Sequence, residues 1–256
     1  MSASDAASFY DELAPFYHLL YGDWDGAVGR QGAALARLLQ ELGVAPGDAV
    51  HDAACGIGTQ TLGLVQHGYR VSASDLSPRA VERLKAELAR RDMQADVRVD
   101  DLRTLGHVPS AALAAVIACD NSIPHLLTDA EILHAFESCH RCLRPGGIAM
   151  FSVRDYAAME RRDPDVRPYG VHRENGRRFV AVQVWEWAGD RYDLRLYLTS
   201  ESAAGTCETR VLTSRYYAIP IANLRKLMTA AGFGDIERRD DVLFQPVLVG
   251  RRPHAA

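Results

Sequence analysis

Val50-His51-Asp52-Ala53-Ala54-Cys55-Gly56-Ile57-Gly58-Thr59-Gln60, followed by Val71-Ser72-Ala73-Ser74-Asp75, is the stretch on which the fold turns. It reads as a short apolar strand, a glycine turn, a helix, and a second strand ending in a carboxylate. Gly56 and Gly58 let the backbone turn sharply and approach a ligand where a Cβ would collide. Asp75, about twenty residues beyond that turn, suits a two-point grip on a ribose diol. A dinucleotide fingerprint carries a third glycine three residues after the second, to seat a pyrophosphate on the helix terminus, but Thr61 stands there. The stretch therefore points to a single-nucleoside cofactor and away from a nicotinamide oxidoreductase.

Outward from this stretch the alternation continues. Ser77 caps a helix whose first position is Pro78, spanning 78–91. Strands are expected at 96–99, 113–119 and 148–153, with a helix at 129–143 stopped by a turn at Arg144-Pro145-Gly146-Gly147. Upstream, residues 9–21 are unusually aromatic and should fold over something. Gly22-Asp23-Trp24-Asp25 punctuates them before a helical pattern at 27–42. Strands alternating with helices of this length predict a parallel sheet covered on both faces.

After Asp155 the pattern changes. A polar, proline-bearing loop at 156–176 is long enough to act as a lid or substrate loop. Runs at 178–187 and 192–200 read as a hairpin, and 209–218 as a third antiparallel strand. A helix at 220–231 and strands at 235–238 and 244–250 return to the sheet. The expected organisation is an N-terminal helical cover (1–42), a core (43–155 and 220–256), and a substrate loop with an antiparallel cap (156–219).

A chain of 256 residues, 48% hydrophobic and 24% charged, excludes disordered and collagen-like classes. A formal net charge of -4 gives no electrostatic footprint for nucleic acid. No apolar run has the length of a membrane span, and the first residues do not resemble a signal peptide, so a cytoplasmic protein without nucleic-acid or membrane partners is expected. Cys55, Cys119, Cys139, Cys142 and Cys207 do not form a disulfide pattern. The Cys139-His140-Arg141-Cys142 run lacks a second ligand pair, so no metal is expected, and it reads as two half-buried helix positions. Oligomeric state is not legible.

The order Asp52 to Gly58, Asp75, Asp100-Asp101-Leu102, Leu143-Arg144-Pro145-Gly146-Gly147 and Ala231-Gly232-Phe233 resembles the class I S-adenosylmethionine-dependent methyltransferases. Asp23-Trp24-Asp25, Cys119-Asp120-Asn121-Ser122-Ile123-Pro124-His125-Leu126-Leu127, Ser152-Val153-Arg154-Asp155-Tyr156 and Gln245-Pro246 are similar to the glycine/sarcosine N-methyltransferase group. The same signature resembles bacterial relatives that methylate heterocyclic nitrogens, of the toxoflavin type. The resemblance implies an α/β fold: a Rossmann-like, doubly wound, mostly parallel seven-stranded sheet with an antiparallel cap inserted after the fifth strand. It implies S-adenosyl-L-methionine as cofactor, with S-adenosyl-L-homocysteine as product.

The resemblance also implies site residues. Gly56 and Gly58 would pass beneath the cofactor's methionine portion, Asp75 would hold the ribose, and Leu76 would lie on the adenine. Asp101 and Leu102 would meet the adenine amino group. Tyr21, Trp24 and Arg30 would come from the cover, with Ala54, Cys119 and Asp120 as further cofactor contacts. Arg30 could pair the cofactor's carboxylate or simply be a solvated helix arginine. Asn121 would orient the acceptor or serve as a turn residue, and His125 would be a general base or structural. Arg154 would clamp an acceptor carboxylate or pair with Asp155 or Asp120. Tyr216, Tyr217 and Phe244 are the expected substrate-pocket aromatics.

Methyl transfer from a sulfonium is an in-line displacement whose leaving thioether needs no acid, so alignment and a dry pocket can suffice. The expected reaction is methylation of a small-molecule nitrogen, with a glycine- or sarcosine-type amine as leading acceptor. A planar nitrogen heterocycle from secondary metabolism is the alternative, and a cofactor-binding protein without turnover is the reading from another class.

Overall fold

The computed structural model describes residues 3–254. Its elements in order are α1 (Ala3–Leu13), a 3-10 turn (Tyr17–Leu20), α2 (Trp24–Glu41), β1 (Ala49–Asp52), α3 (Thr59–Gln66), β2 (Arg70–Asp75), α4 (Pro78–Arg90), β3 (Asp96–Val99), β4 (Leu113–Ala118), a second 3-10 turn (Ile123–His125), α5 (Asp129–Cys142) and β5 (Leu143–Ser152). Then come β6 (Asp165–Glu174), β7 (Arg177–Ala188), β8 (Arg191–Glu201), β9 (Cys207–Tyr217), α6 (Ile221–Ala230), β10 (Gly234–Arg239) and β11 (Val247–Arg251).

Seven strands form one sheet in the order β10-β11-β5-β4-β1-β2-β3, and β6 to β9 form a separate antiparallel sheet. In the large sheet β1 to β5 pair in parallel, and β11 enters antiparallel beside β5. This is the expected Rossmann-like α/β architecture with an antiparallel sheet after the fifth strand. All six residues of β4 are buried, as a central parallel strand covered on both faces requires. Its alternate side chains feed two cores: Val116 and Ala118 on one face, Ala115 and Ile117 on the other. Among the described residues no helix is long and apolar enough to cross a membrane.

Four local expectations need correction. The segment read as a loop at 156–176 contains β6: Pro168 and the Gly170 bulge sit on this edge strand, where a missing N–H is tolerated and polar residues face water. The residues read as punctuation before α2 begin it, because the Asp23 side chain accepts the Gly26 N–H at 2.9 Å. Arg144-Pro145-Gly146-Gly147 does not separate helix from strand. β5 already starts at Leu143, and the residues form an irregularity in its pairing with β4. Cys139 and Cys142 are wholly buried rather than half-buried.

Close helix packing has a specific sequence cause. An added Cβ on Gly63 of α3 would lie 2.6 Å from the Gly32 Cα of α2 and 2.7 Å from the Val28 carbonyl oxygen. Both neighbours are backbone, so the helices would have to part. Gly63→Ala should destabilise the protein by about 1–3 kcal/mol. In a chain of this size that lowers Tm by about 2–4 °C per kcal/mol. A melting curve unchanged from wild type would contradict this packing.

His51, an unusual polar residue inside the sheet, is 3% exposed. Its ring is satisfied by the Ser72 hydroxyl at 2.8 Å and the Ser74 hydroxyl at 3.0 Å. Burial lowers its pKa from 6.5 to about 4. As pH falls from 6.5 toward 4 the unfolded chain binds more protons, so native stability drops. The neighbouring Asp52 works oppositely: burial raises it from 3.8 to about 7, so stability drops as pH rises through that window. Each contribution is on the order of 3 kcal/mol, and between about pH 4 and 6.5 they largely cancel. His51→Asn removes one of them. Its urea stability should therefore fall with rising pH across this range, more steeply than wild type; parallel pH profiles would refute the balance.

Candidate active site

At the carboxyl ends of β1, β2 and β4 the chain leaves the sheet and surrounds a cavity. Its floor is the turn Ala53 to Ile57, and Asp75, Leu76, Asp101 and Leu102 form one wall. Cys119, Asp120, Ser122, His125 and Leu126 form the other wall, while Ala6, Ala7, Tyr10, Tyr17 and Tyr21 close over the top. The floor turn needs glycine, since Gly56 has φ +50° and Gly58 φ +99°. Gly56 and Ala54 line the cavity. Gly58, expected there too, does not: it starts α3, and a Cβ on it would lie 2.2 Å from Leu84 Cδ1.

Asp75 is fixed before any ligand arrives. Its Oδ2 accepts the Gly56 N–H at 2.8 Å and its Oδ1 the Ser77 N–H at 2.9 Å. Burial raises its pKa, against the lowering effect of these two backbone donors. Both oxygens keep acceptor capacity on the cavity side, matching a pair of vicinal hydroxyls. Asp101 is committed differently. Burial works against its charge, but the Arg103 guanidinium, 2.5 Å away, holds the carboxylate below its usual range.

The N-terminal cover is pinned at several points. Asp11 Oδ1 accepts from the Ser77 hydroxyl at 2.5 Å and from the Arg79 N–H at 3.0 Å. The Tyr21 hydroxyl donates to Asp120 Oδ2 at 2.6 Å, and the Tyr10 hydroxyl meets His125 Nε2 at 2.8 Å. The aromatic leading segment thus forms the roof of the cavity.

A second cavity, of about 350 Å³, adjoins the first. Tyr10, Tyr17, Tyr21 and Asp120 line both. The rest of its lining includes Arg154, Tyr169, Gln183, Tyr216, Phe244 and Gln245. Two sequence segments interlock to shape it. Asp120 and Asn121 both adopt left-handed backbone, at φ +60° and +66°, a conformation that Asp and Asn tolerate better than most residues. Their N–H groups donate to Ser152, to its hydroxyl at 2.7 Å and its carbonyl at 3.0 Å. Asn121 then accepts the Arg154 N–H at 3.0 Å and donates to the Tyr156 hydroxyl at 2.8 Å.

Several expected site residues are placed elsewhere. Asn121 is 1% exposed, and its amide is taken up by Arg154 and Tyr156; it braces the turn and lines neither cavity. Trp24 lies beneath the cover, donating to the Thr59 hydroxyl at 2.9 Å, so it supports a lining residue without being one. Arg30 is a surface arginine, its side chain 69% exposed and paired with Asp23. Tyr217 follows Tyr216 in β9 and points to the opposite face, where its hydroxyl donates to Asp129 at 3.0 Å. Phe244, by contrast, does line the second cavity as expected, though it precedes β11 rather than lying in it and is 95% exposed at the rim.

His125 lines the first cavity, yet both ring nitrogens have partners, Tyr10 at 2.8 Å and Ser214 at 3.4 Å. Burial, with Arg154 adding to it, lowers its pKa to about 3. A ring that weakly basic is a poor general base, and it serves to hold the cover. Arg154 lacks both acidic partners foreseen for it: Asp155 pairs with Arg238 at 2.7 Å, and Asp120 takes the Tyr21 hydroxyl. Among the described residues no other carboxylate forms an ion pair with Arg154.

Residues 50–147 match a family described as a methyltransferase domain. That stretch is similar to methyltransferase domains. The matched region holds the floor turn, Asp75, Asp101 and the Asp120 wall, and the cofactor that these matches support is S-adenosylmethionine. The chain is 28% identical over 134 residues to a glycine/sarcosine N-methyltransferase from Parasynechococcus marenigrum, covering 52% of this chain and 46% of that protein. It spans about half the length of the curated relatives it matches. The sugar N-methyltransferase KedS8 from a Streptoalloteichus species has a similar fold, with TM-score 0.75 and 21% identity over 89% of this chain and 88% of that one. The amino pentose methyltransferase CalS10 from Micromonospora echinaspora superposes with TM-score 0.76 and 19% identity, covering 92% and 94%.

Lining residues that sequence reasoning missed include Tyr10, Tyr17, Thr59 and Gln60 in the first cavity, and Tyr169 and Gln183 in the second. The aromatic run at 9–21 signalled the first two without saying which rings turn inward.

Proposed function

We propose that the chain transfers a methyl group from S-adenosylmethionine to the nitrogen of a small-molecule amine that also carries an anionic group. The observation that carries this reading is Arg154: a guanidinium facing the second cavity without a carboxylate partner among the described residues. A guanidinium cannot shed its charge in a protein, so it favours an anion in the cavity, held by paired N–H donors. Glycine and sarcosine are the smallest acceptors of this kind. Larger amines belong to the same class, such as the sugars named for the fold neighbours.

The heterocycle alternative needs an aromatic platform. Trp185, Tyr192 and Tyr216 do stack, with centroids 4.4 and 5.0 Å apart. The outer end of that stack is occupied by His125, 4.1 Å from Tyr216, so a planar acceptor would not extend the stack at its Tyr216 end.

When bound, S-adenosylmethionine supplies an electrophilic methyl carbon on a sulfonium. Asp75 would hold the ribose hydroxyls, Leu76 and Leu102 would flank the adenine, and Gly56 would leave room for the chain toward sulfur. Tyr10, Tyr17 and Tyr21 exclude water from above. Purified protein should form S-adenosylhomocysteine with glycine, sarcosine or glucosamine 6-phosphate, and not with xanthine. Turnover of xanthine alone would reverse the choice; binding of cofactor without turnover of any nitrogen compound would favour the non-catalytic reading.

A further inference from the structure

The second cavity contains one acidic side chain among its lining residues, Asp120, and that acid also lines the cofactor cavity. Its carboxylate therefore stands where donor and acceptor would meet. Three observations show that it is held there. The Tyr21 hydroxyl donates to Oδ2 at 2.6 Å, its own N–H is fixed to Ser152 at 2.7 Å, and its backbone is left-handed at φ +60°. Unlike Asp101, which is tied to Arg103, and Asp155, which is tied to Arg238, Asp120 has no cationic partner among the described residues. Tyr21 occupies one oxygen and leaves the other without a hydrogen-bond donor among the described residues.

We infer that Asp120 is the acceptor-amine site of this enzyme, a catalytic residue rather than a cofactor contact; the inference rests on the N-methyltransferase reading above. Charge movement in the reaction explains why an acid belongs here. An ammonium acceptor docks on the carboxylate and releases one proton to water at the mouth of the cavity, keeping a remaining N–H bonded to Asp120. The nitrogen lone pair forms the new carbon–nitrogen bond. The carbon–sulfur bond breaks with its electron pair staying on sulfur, and the positive charge passes from sulfur to the methylated nitrogen. A fixed anion beside that nitrogen is worth most where the positive charge arrives, and it aims the lone pair by holding the opposite N–H. With Arg154 in the same cavity, the site offers one anion and one cation and selects acceptors carrying the complementary pair.

Asp120→Asn tests this cleanly, because Asn also accepts left-handed backbone and preserves the shape of the side chain. Wild type and variant are compared by calorimetric titration with S-adenosylhomocysteine, by melting curves, and by steady-state kinetics with whichever of glycine, sarcosine or glucosamine 6-phosphate wild type turns over fastest. The variant should keep its Tm and bind S-adenosylhomocysteine within about threefold of wild type, while kcat/KM for the acceptor falls at least about 100-fold. A large loss of S-adenosylhomocysteine affinity with unchanged acceptor KM would return Asp120 to the cofactor and overturn the inference. Unchanged kinetics would overturn it as well. Failure of the underlying reading is recognised separately, since wild type itself would then methylate none of the three amines.

Discussion

Asp75→Ala should abolish measurable binding of S-adenosylmethionine at concentrations that saturate wild type. The carboxylate is pre-set by the Gly56 and Ser77 N–H groups, so ribose hydroxyls meet an acceptor already in place. Each hydrogen bond to a charged acceptor contributes about 1.5–3 kcal/mol, and two lost together weaken binding by about 100-fold or more. The variant also leaves the Gly56 N–H, at the floor of the cavity, without its partner, so a lower Tm should accompany the loss. Isothermal titration calorimetry reads the first effect and thermal denaturation the second. Wild-type affinity in Asp75→Ala would mean that the nucleoside sits elsewhere.

Arg154→Ala should leave cofactor affinity near wild type and remove turnover of anionic acceptors. Arg154 lines the second cavity and is absent from the first, so the two binding events separate at this residue. Losing a paired-donor contact to a carboxylate or phosphate should lower kcat/KM by about 100-fold, mostly through KM. Arg154→Lys should recover only part, because an ammonium is a point charge that cannot present two parallel N–H groups. The guanidinium also lies 5.3 Å from the Trp185 ring centroid, so a small fall in Tm in Arg154→Ala is expected from lost packing. Equal kinetics for wild type and Arg154→Ala with glycine and with glucosamine 6-phosphate would remove the anionic group from the acceptor's description.

How much of this could be read from residues alone follows from the range of the signals. The floor turn and Asp75 were legible because a glycine turn between a strand and a helix is a local backbone requirement, carried by adjacent residues. The Asp-Asn pair at 120–121 was legible as a site for a similar reason, but its division of labour was not. Asn121 faces its own brace while Asp120 faces both cavities, and one step along the chain decides which. The same parity separates Tyr216 from Tyr217 on β9. Trp24 and Arg30 failed for another reason. The rotation of α2 depends on where it docks, and its Asp23 cap started the helix earlier than the apolar spacing suggested. Gln183 and Tyr169 come from the antiparallel sheet, whose approach to the core is a long-range packing outcome with no local signature.

The most direct test is a crystal structure of the protein with S-adenosylhomocysteine. The account predicts ribose hydroxyls on Asp75, adenine between Leu76 and Leu102, and the sulfur beside Asp120, open toward the cavity that holds Arg154. A nucleoside bound outside the Asp75 cavity, or a sulfur walled off from Arg154, would contradict it.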